Sequence, residues 1–182
     1  MSLQHLRISN DRVGALIGKG GATKKEIERK TGMKLLIDSE EGDVEIDHSQ
    51  AEDPSMSLVA ASIVKAIGRG FSPENALFLL DENFVLEVLD IRDYAGKKTN
   101  HLIRVRSRLI GTKGKTRKLI EELSGTHVSV YGNTVAIIGG SLQVSVARRA
   151  IDMLMSGSEH SSVYHFLEKN RPAIRIAEMG FD

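Results

Sequence analysis

"LIGKGGATKKEIERKTG" occupies Leu16 to Gly32, and "LIGTKGKTRKLIEELSG" occupies Leu109 to Gly125, 93 residues further on. Nine of the 17 aligned positions are identical: Leu16/Leu109, Ile17/Ile110, Gly18/Gly111, Gly21/Gly114, Thr23/Thr116, Lys25/Lys118, Ile27/Ile120, Glu28/Glu121 and Gly32/Gly125. The chain therefore carries an internal repeat, and in 182 residues an offset of that size predicts two small domains rather than one large one.

The flanks of the two copies run in the same order. Leu3 to Ile8 alternates as a short strand, and Asn10 or Asp11 is placed to cap a helix that carries Val13, Leu16 and Ile17 and stops at Gly18. Ala22 to Lys30 reads as a charged helix closed by Gly32. "MKLLIDS" and "DVEID" read as two strands joined by a turn, and "MSLVAASIVKAIGRG" as a helix capped by Asp53 or Ser55. In the second copy "NFVLEVLDI" is the strand, "KKTNHLIRVRSRLIG" and "KTRKLIEELSG" the helices, and "THVSVYGNTVAIIGG" the strand pair around a Gly-Asn turn. "SLQVSVARRAIDMLMSG", capped by Ser141, closes that unit. Between the copies Ser72, Pro73 and Glu74 announce a helix "ENALFLLD", too apolar for a free linker, and the tail "SEHSSVYHFLEKNRP" is a helix expected to stop before Pro172. The resulting division is 1–71, a linking helix 72–82 that packs the two domains together, 83–157, and a C-terminal helix and tail 158–182.

Composition removes several classes of protein. With 41% hydrophobic and 27% charged residues the chain is an ordinary globular one, and with no cysteine it has neither disulfides nor a thiolate metal site. No apolar run approaches the ~18 residues of a membrane span, and the start lacks a secretory pattern, so a cytoplasmic protein is expected. The six histidines form no ligand pair at helical spacing, so no metal site is predicted. "GTKGKT" lacks the first glycine and the preceding strand of a nucleotide-binding P-loop. No nucleophile, base and acid can be grouped, so neither catalytic residues nor a cofactor are expected.

The net charge of +1 conceals a sorted distribution. Gly14 to Leu35 holds six Lys/Arg against two Glu, Leu36 to Met56 holds eight acids and no Lys or Arg, and Lys97 to Lys118 holds nine Lys/Arg and no acid. Both basic tracts coincide with a repeated glycine turn. A glycine at each end lets a phosphate approach the backbone without a Cβ in the way, and the helix that follows aims free N–H groups at it. Basic side chains around that point make a polyanion site, while 4% aromatic residues argue against a base-stacking platform.

A helix, a G-x-x-G turn, a second helix and then two strands with a closing helix resembles the KH domain of type I, and the chain is similar to two in tandem. The fold expected is α+β, each domain a three-stranded antiparallel sheet backed by three helices. More narrowly, "GKGGATKKEIERKTG", "SPENALFLLD", "RVRSRLIGTKGKTRKLIEELSG" and "VSVYGNTVAIIGG" together resemble the archaeal KH-domain rRNA-processing proteins. Those are relatives of the eukaryotic small-subunit assembly factor that partners the Nob endonuclease. The likeness spans Leu3 to Arg171. It implies a protein that binds single-stranded RNA, acts near the 3′ end of small-subunit rRNA, and has a Nob-type endonuclease and a translation initiation factor subunit as partners. It also implies a clamp on about four nucleotides along each turn, over an apolar groove.

On that basis the RNA contacts expected in the first copy are Gly18, Lys19, Gly20, Gly21, Lys24 and Lys25. Those in the second are Gly111, Thr112, Lys113, Gly114, Lys115, Arg117 and Lys118, with Arg104, Arg106 and Arg108 leading into the turn. Val13, Leu16, Ile17, Leu35 and Ile37 are expected to floor the first groove, and Leu109, Ile110, Val128 and Val130 the second. Lys24 and Arg117 stand where this fold commonly has an apolar residue; either the helix is turned so that this position meets solvent, with Ile27 and Ile120 holding the core, or both copies gain an added phosphate contact. Two other readings compete: an exosome-cap-like or mRNA-binding KH protein, and an interaction scaffold whose acidic Leu36 to Met56 segment docks a basic partner.

Overall fold

The computed structural model describes residues 3–180. The chain forms two compact units, one ending at Glu82 and the other starting at Asn83.

In the first unit β1 (Leu3–Arg7) precedes α1 (Asn10–Ile17), a 3-10 turn (Lys19–Gly21) and α2 (Ala22–Thr31). Then come β2 (Lys34–Ile37), β3 (Asp43–Asp47) and α3 (Met56–Gly68). The strands pair antiparallel in the order β1-β3-β2. The register sets Leu6 opposite Val44 and Leu35 opposite Ile46, so one face is apolar. Strand alternation turns Arg7, Asp43, Glu45 and Asp47 to the opposite face. The three helices cover the apolar face, where Leu16, Ile27, Val44, Ile46, Ile63 and Ile67 lose all contact with solvent.

The second unit repeats the plan with two additions. β4 (Phe84–Asp90) leads through a short α5 (Arg92–Ala95) to α6 (Thr99–Ile110), a 3-10 turn (Thr112–Gly114) and α7 (Lys115–Ser124). β5 (His127–Tyr131), β6 (Thr134–Gly140), α8 (Ser141–Met155) and α9 (His160–Glu178) follow, with α4 assigned to Pro73–Ala76 in the first unit. The sheet order is β4-β6-β5. Ile91, Leu109, Ile120, Ile137, Ile151 and Leu154 are buried together with Val163, Leu167 and Ile174 of α9, so the last helix is part of this core.

Several local expectations are corrected. α9 does not stop before Pro172 but runs six residues past it. Proline forfeits one backbone hydrogen bond, and here the helix is anchored on both sides of it. Arg171 donates to the carbonyls of Glu122 (2.9 Å) and Leu123 (3.2 Å) on α7, and Ile174 is fully buried. Ser141 is the first residue of α8 and not its cap; the cap position is Gly140. Neither Asn10 nor Asp11 caps α1, because both already lie in the helix, and Asn10 Nδ2 instead donates to the Glu40 carbonyl at 2.7 Å. Ser72 does cap, accepting from the Asn75 N–H at 3.2 Å with Pro73 at the first helical position. The helix it opens is one α-turn continued by a 3-10 turn (Leu77–Leu80), packed on α3 of the first unit.

Candidate nucleic-acid interface

The two glycine turns have nearly the same backbone. Gly18 lies at φ 75°, ψ 173° and Gly111 at φ 73°, ψ 174°; Gly21 lies at φ 78°, ψ 14° and Gly114 at φ 77°, ψ 13°. Each turn is closed alike, with the Gly18 N–H donating to the Gly14 carbonyl (2.9 Å) and the Gly111 N–H to the Ser107 carbonyl (2.8 Å). A Cβ at Gly18 would meet Thr23 Oγ1 at 2.3 Å, and one at Gly111 would meet Thr116 Oγ1 at 2.3 Å. Glycine and threonine are therefore repeated as a pair, the hydroxyl filling the space a side chain would need. The remaining position differs: Gly20 has φ 61° and Lys113, its counterpart, has φ 54°, the one positive φ outside glycine among the described residues.

Neither α2 nor α7 has a side-chain cap or an acidic residue in its first turn, so the positive dipole end of each faces its turn uncompensated, although the first N–H of each helix, Ala22 and Lys115, donates to the carbonyl of Lys19 and Thr112. Lys19, Gly20 and Lys25 are exposed around the first turn, and Thr112, Lys113, Lys115, Lys118 and Arg104 around the second, while Lys24 is half-buried. A cleft of about 440 Å³ beside the second turn is lined by Arg104, Gly111, Thr112, Lys115 and His160. A second, of about 700 Å³, is lined by Thr112, Lys113, Lys115 and Lys118.

Two of the basic residues singled out in the sequence are committed elsewhere. Arg108 donates to the carbonyls of Leu154 (2.6 Å) and Ser158, at and just beyond the end of α8. The first unit makes the same contact from a different position: Arg12 donates to Ile67 and Phe71, both at 2.8 Å, at the corresponding end of α3. Arg12 lies six residues before its turn and Arg108 three, so about one helical turn separates two residues doing one job. Arg117 is half-buried and pairs with Glu121 at 3.0 Å. Thus Arg108 is a brace of the helix packing, and Arg117 faces an acid before it faces any phosphate.

The groove floor divides as the 3.6 and 2.0 periodicities require. Of the residues expected to floor the grooves, Val13, Leu16, Leu35, Leu109 and Val128 are buried in the two cores. Ile17, Ile37, Ile110 and Val130 are half-buried and remain accessible. Beneath them the repeat hides a contact that charge counting misses. Glu28 Oε1 accepts from the Leu35 N–H and Glu121 Oε1 from the Val128 N–H, both at 2.9 Å, tying the helix after each turn to the strand beside it. The identity of Glu28 and Glu121 was the signal. A further layer is unique to the second unit: Tyr164 of α9 shares a hydrogen bond of 3.1 Å with Thr116, and His160 Nε2 lies 3.0 Å from the Arg108 carbonyl.

The acidic tract has its own local work. Asp38 accepts from the N–H groups of Glu40 and Glu41, Asp47 from Ser49, and Asp53 from the Ser55 N–H and hydroxyl. These bonds, led by the Glu41 N–H for Asp38, the Ser49 N–H for Asp47 and the Ser55 hydroxyl for Asp53, hold the three carboxyls below the usual range. Arg7 pairs with Glu41 at 3.1 Å. Among the described residues no group of three or more acids and histidines is placed to hold a metal ion, and no helix is long and apolar enough to cross a membrane.

Comparison with known families matches residues 85–172 to the eukaryotic-type KH domain of type I and residues 3–53 to the KH domain. A KH domain-containing protein of Methanocaldococcus jannaschii is 49% identical over 97% of this chain and 77% of its own length. The aDim2p-containing structure from Pyrococcus horikoshii OT3, an a/eIF2alpha–aDim2p–rRNA complex, superposes with a TM-score of 0.87 at 49% identity, covering 94% of each chain. The pre-rRNA-processing protein pno1 of Schizosaccharomyces pombe is 28% identical over 72% of this chain. The chain spans 56% of that relative's length and 50% of the length of an Ixodes scapularis RNA-binding protein pno1.

Proposed function

Because this chain belongs to the family of two-KH-domain proteins that includes archaeal Dim2 and eukaryotic PNO1, we propose that it binds single-stranded RNA of the small ribosomal subunit and acts in pre-rRNA processing. The observation that carries the reading is the duplicated turn: two glycine-bracketed corners of nearly equal dihedrals, each opening an uncapped helix amid exposed lysines. A backbone held open twice in this way suits a chain of phosphates better than a single small ligand.

The phosphate contacts of this reading are Lys19, Gly20, Gly21 and Lys25 in the first turn and Thr112, Lys113, Gly114, Lys115 and Lys118 in the second, with Arg104 alongside. Bases lie over Ile17 and Ile37, and over Ile110 and Val130. The protein acts by holding RNA, in the cytoplasm, near the 3′ end of the small-subunit rRNA, and presents it to a Nob-type endonuclease. An initiation factor α subunit is a second partner, in keeping with the composition of the solved complex of its relative.

Crosslinking in cells followed by sequencing of the bound RNA tests this. Enrichment of 3′ ends of small-subunit rRNA and of its precursor is expected; enrichment of mRNA, or no RNA above background, would overturn it.

A further inference from the structure

The helix after α8 is 19 residues long, whereas the closing helix of the first unit is followed only by a four-residue helical turn and a 3-10 turn. α9 buries Val163, Leu167 and Ile174 completely, and polar side chains beside them reach the elements that carry the second glycine turn. His160 Nε2 donates to the Arg108 carbonyl at 3.0 Å, since a carbonyl can only accept, three residues before Gly111. Tyr164, one helical turn further along α9, shares a hydrogen bond of 3.1 Å with Thr116, whose Oγ1 fills the space that a Cβ at Gly111 would need. Arg171 donates to the carbonyls of Glu122 and Leu123. Tyr164 and Arg171 are seven residues apart, as are Thr116 and Leu123, so α9 runs beside α7 over two turns and grips it at both ends. Arg106 takes no part. Half-buried, with an Nε shut off from solvent and unpartnered among the described residues, it sits two residues from both Arg104 and Arg108 and so on the other side of α6.

The first turn has the same corner without this support. Thr23, the counterpart of Thr116, is half-buried and its hydroxyl has no hydrogen-bond partner among the described residues, whereas Thr116 is 3% exposed. The tips of the turns differ too, with Gly20 at φ 61° in the first and Lys113 at φ 54° in the second. A side chain in that left-handed region is strained and persists only where the surrounding structure over-determines it. The added hydrogen bond and the strained lysine fall on the same turn.

We propose that α9 braces the second glycine turn, Tyr164 acting through Thr116 to hold Gly111 and Lys113 in the conformation that presents the lysine to RNA. This rests on the RNA-binding function above. Tyr164 does not touch RNA; its hydroxyl is spent on Thr116, while His160 fixes the end of α6 on the other side of the corner. Without the brace the corner still closes through the Gly111 N–H and the Ser107 carbonyl. Lys113 then relaxes from its strained conformation and has to be ordered again when RNA binds, which lowers affinity.

Two readouts on the full chain test this. The first needs no RNA: in NMR backbone relaxation, Tyr164→Phe makes the Thr112, Lys113 and Gly114 amides more mobile and leaves those of Lys19, Gly20 and Gly21 as they were. The second is a double-mutant cycle on affinity for single-stranded RNA carrying the 3′-end sequence of small-subunit rRNA. Tyr164→Phe weakens binding about fivefold in the wild-type background, the worth of one hydrogen bond, and less than about twofold in a Lys113→Gly background, where the tip is neither strained nor charged. Thr116→Val removes the other end of the bond, gives the same pattern, and decides the matter should the phenylalanine variant fail to melt cooperatively. Ile174→Val, at the far end of α9, lowers the melting temperature and leaves affinity unchanged. An unchanged turn or an unchanged affinity in Tyr164→Phe would leave α9 a packing element alone, and a loss that persists in Lys113→Gly would make Tyr164 an RNA contact; each overturns the proposal. So does an equal loss of affinity from Ile174→Val, which would trace the effect to general stability. Failure of the wild-type protein to bind RNA would overturn the RNA-binding function itself, and the relaxation measurement would still decide whether α9 holds the turn.

Discussion

Gly18 and Gly111 are fixed by two independent constraints. Their φ and ψ lie in a region that only glycine enters freely, and a threonine hydroxyl occupies the space of a Cβ. Gly111→Ala is therefore expected to cost at least about 2 kcal/mol in urea denaturation. Gly20→Ala, where nothing lies within 4 Å of the added carbon, is expected to cost about 1 kcal/mol from its positive φ alone. Lys113 runs the comparison in reverse, since it accepts φ 54° to put a charge at the tip of the turn. Lys113→Gly should stabilise the fold by up to about 1 kcal/mol and weaken RNA binding. A variant both less stable and equally good at binding would contradict the placement of that lysine. The glycines were legible in the sequence from their repetition, but the Thr23 and Thr116 contacts were not, because they come from how the chain folds back after the corner.

At the scale of elements, the chain order of the repeated strands and helices was legible because hydrophobic period and turn residues agreed along most of the chain, whereas the strand order within each sheet and the short α5 were not read from it. Two of the disagreements have clear physical causes. Pro172 signals a stop that the burial of Ile174 and the hold of Arg171 on α7 override. The basic run on α6 looked uniform because sequence does not reveal that Arg108 repeats the work of Arg12 from one turn away. Arg12→Ala and Arg108→Ala should each destabilise the protein by about 1.5–3 kcal/mol, the range for charged hydrogen bonds, as followed by urea denaturation. Arg108→Ala should leave the salt dependence of RNA binding unchanged; a slope shallower by about 0.7 would return it to the phosphate contacts. The turns built on Asp38, Asp47 and Asp53 imply acid sensitivity. Their carboxyls titrate lower folded than unfolded, so the stabilisation is whole above the unfolded value of about 3.9 and disappears as pH falls from there through the folded values. Thermal melts of wild type should fall more steeply below pH ~4 than those of an Asp38→Asn, Asp47→Asn, Asp53→Asn variant.

For the molecule as a whole, a net charge of +1 is compatible with a strong polyanion site because the charges are segregated. Once Arg108 and Arg117 are set aside as internally engaged, six exposed cations remain around the turns: Lys19, Lys25, Arg104, Lys113, Lys115 and Lys118. Four of these belong to the second turn, so Thr112→Asp with Lys113→Asp should reduce RNA affinity by more than about tenfold, and Lys19→Asp with Gly20→Asp by less. Equal losses from two folded variants would mean that local charge is not what ranks the turns. The central claim, that the repeated turns are a phosphate clamp, is tested most directly by titrating salt against binding of single-stranded RNA to the wild-type chain. Six neutralised phosphates predict that log affinity falls against log salt with a slope of about −4; a flat response would contradict the clamp.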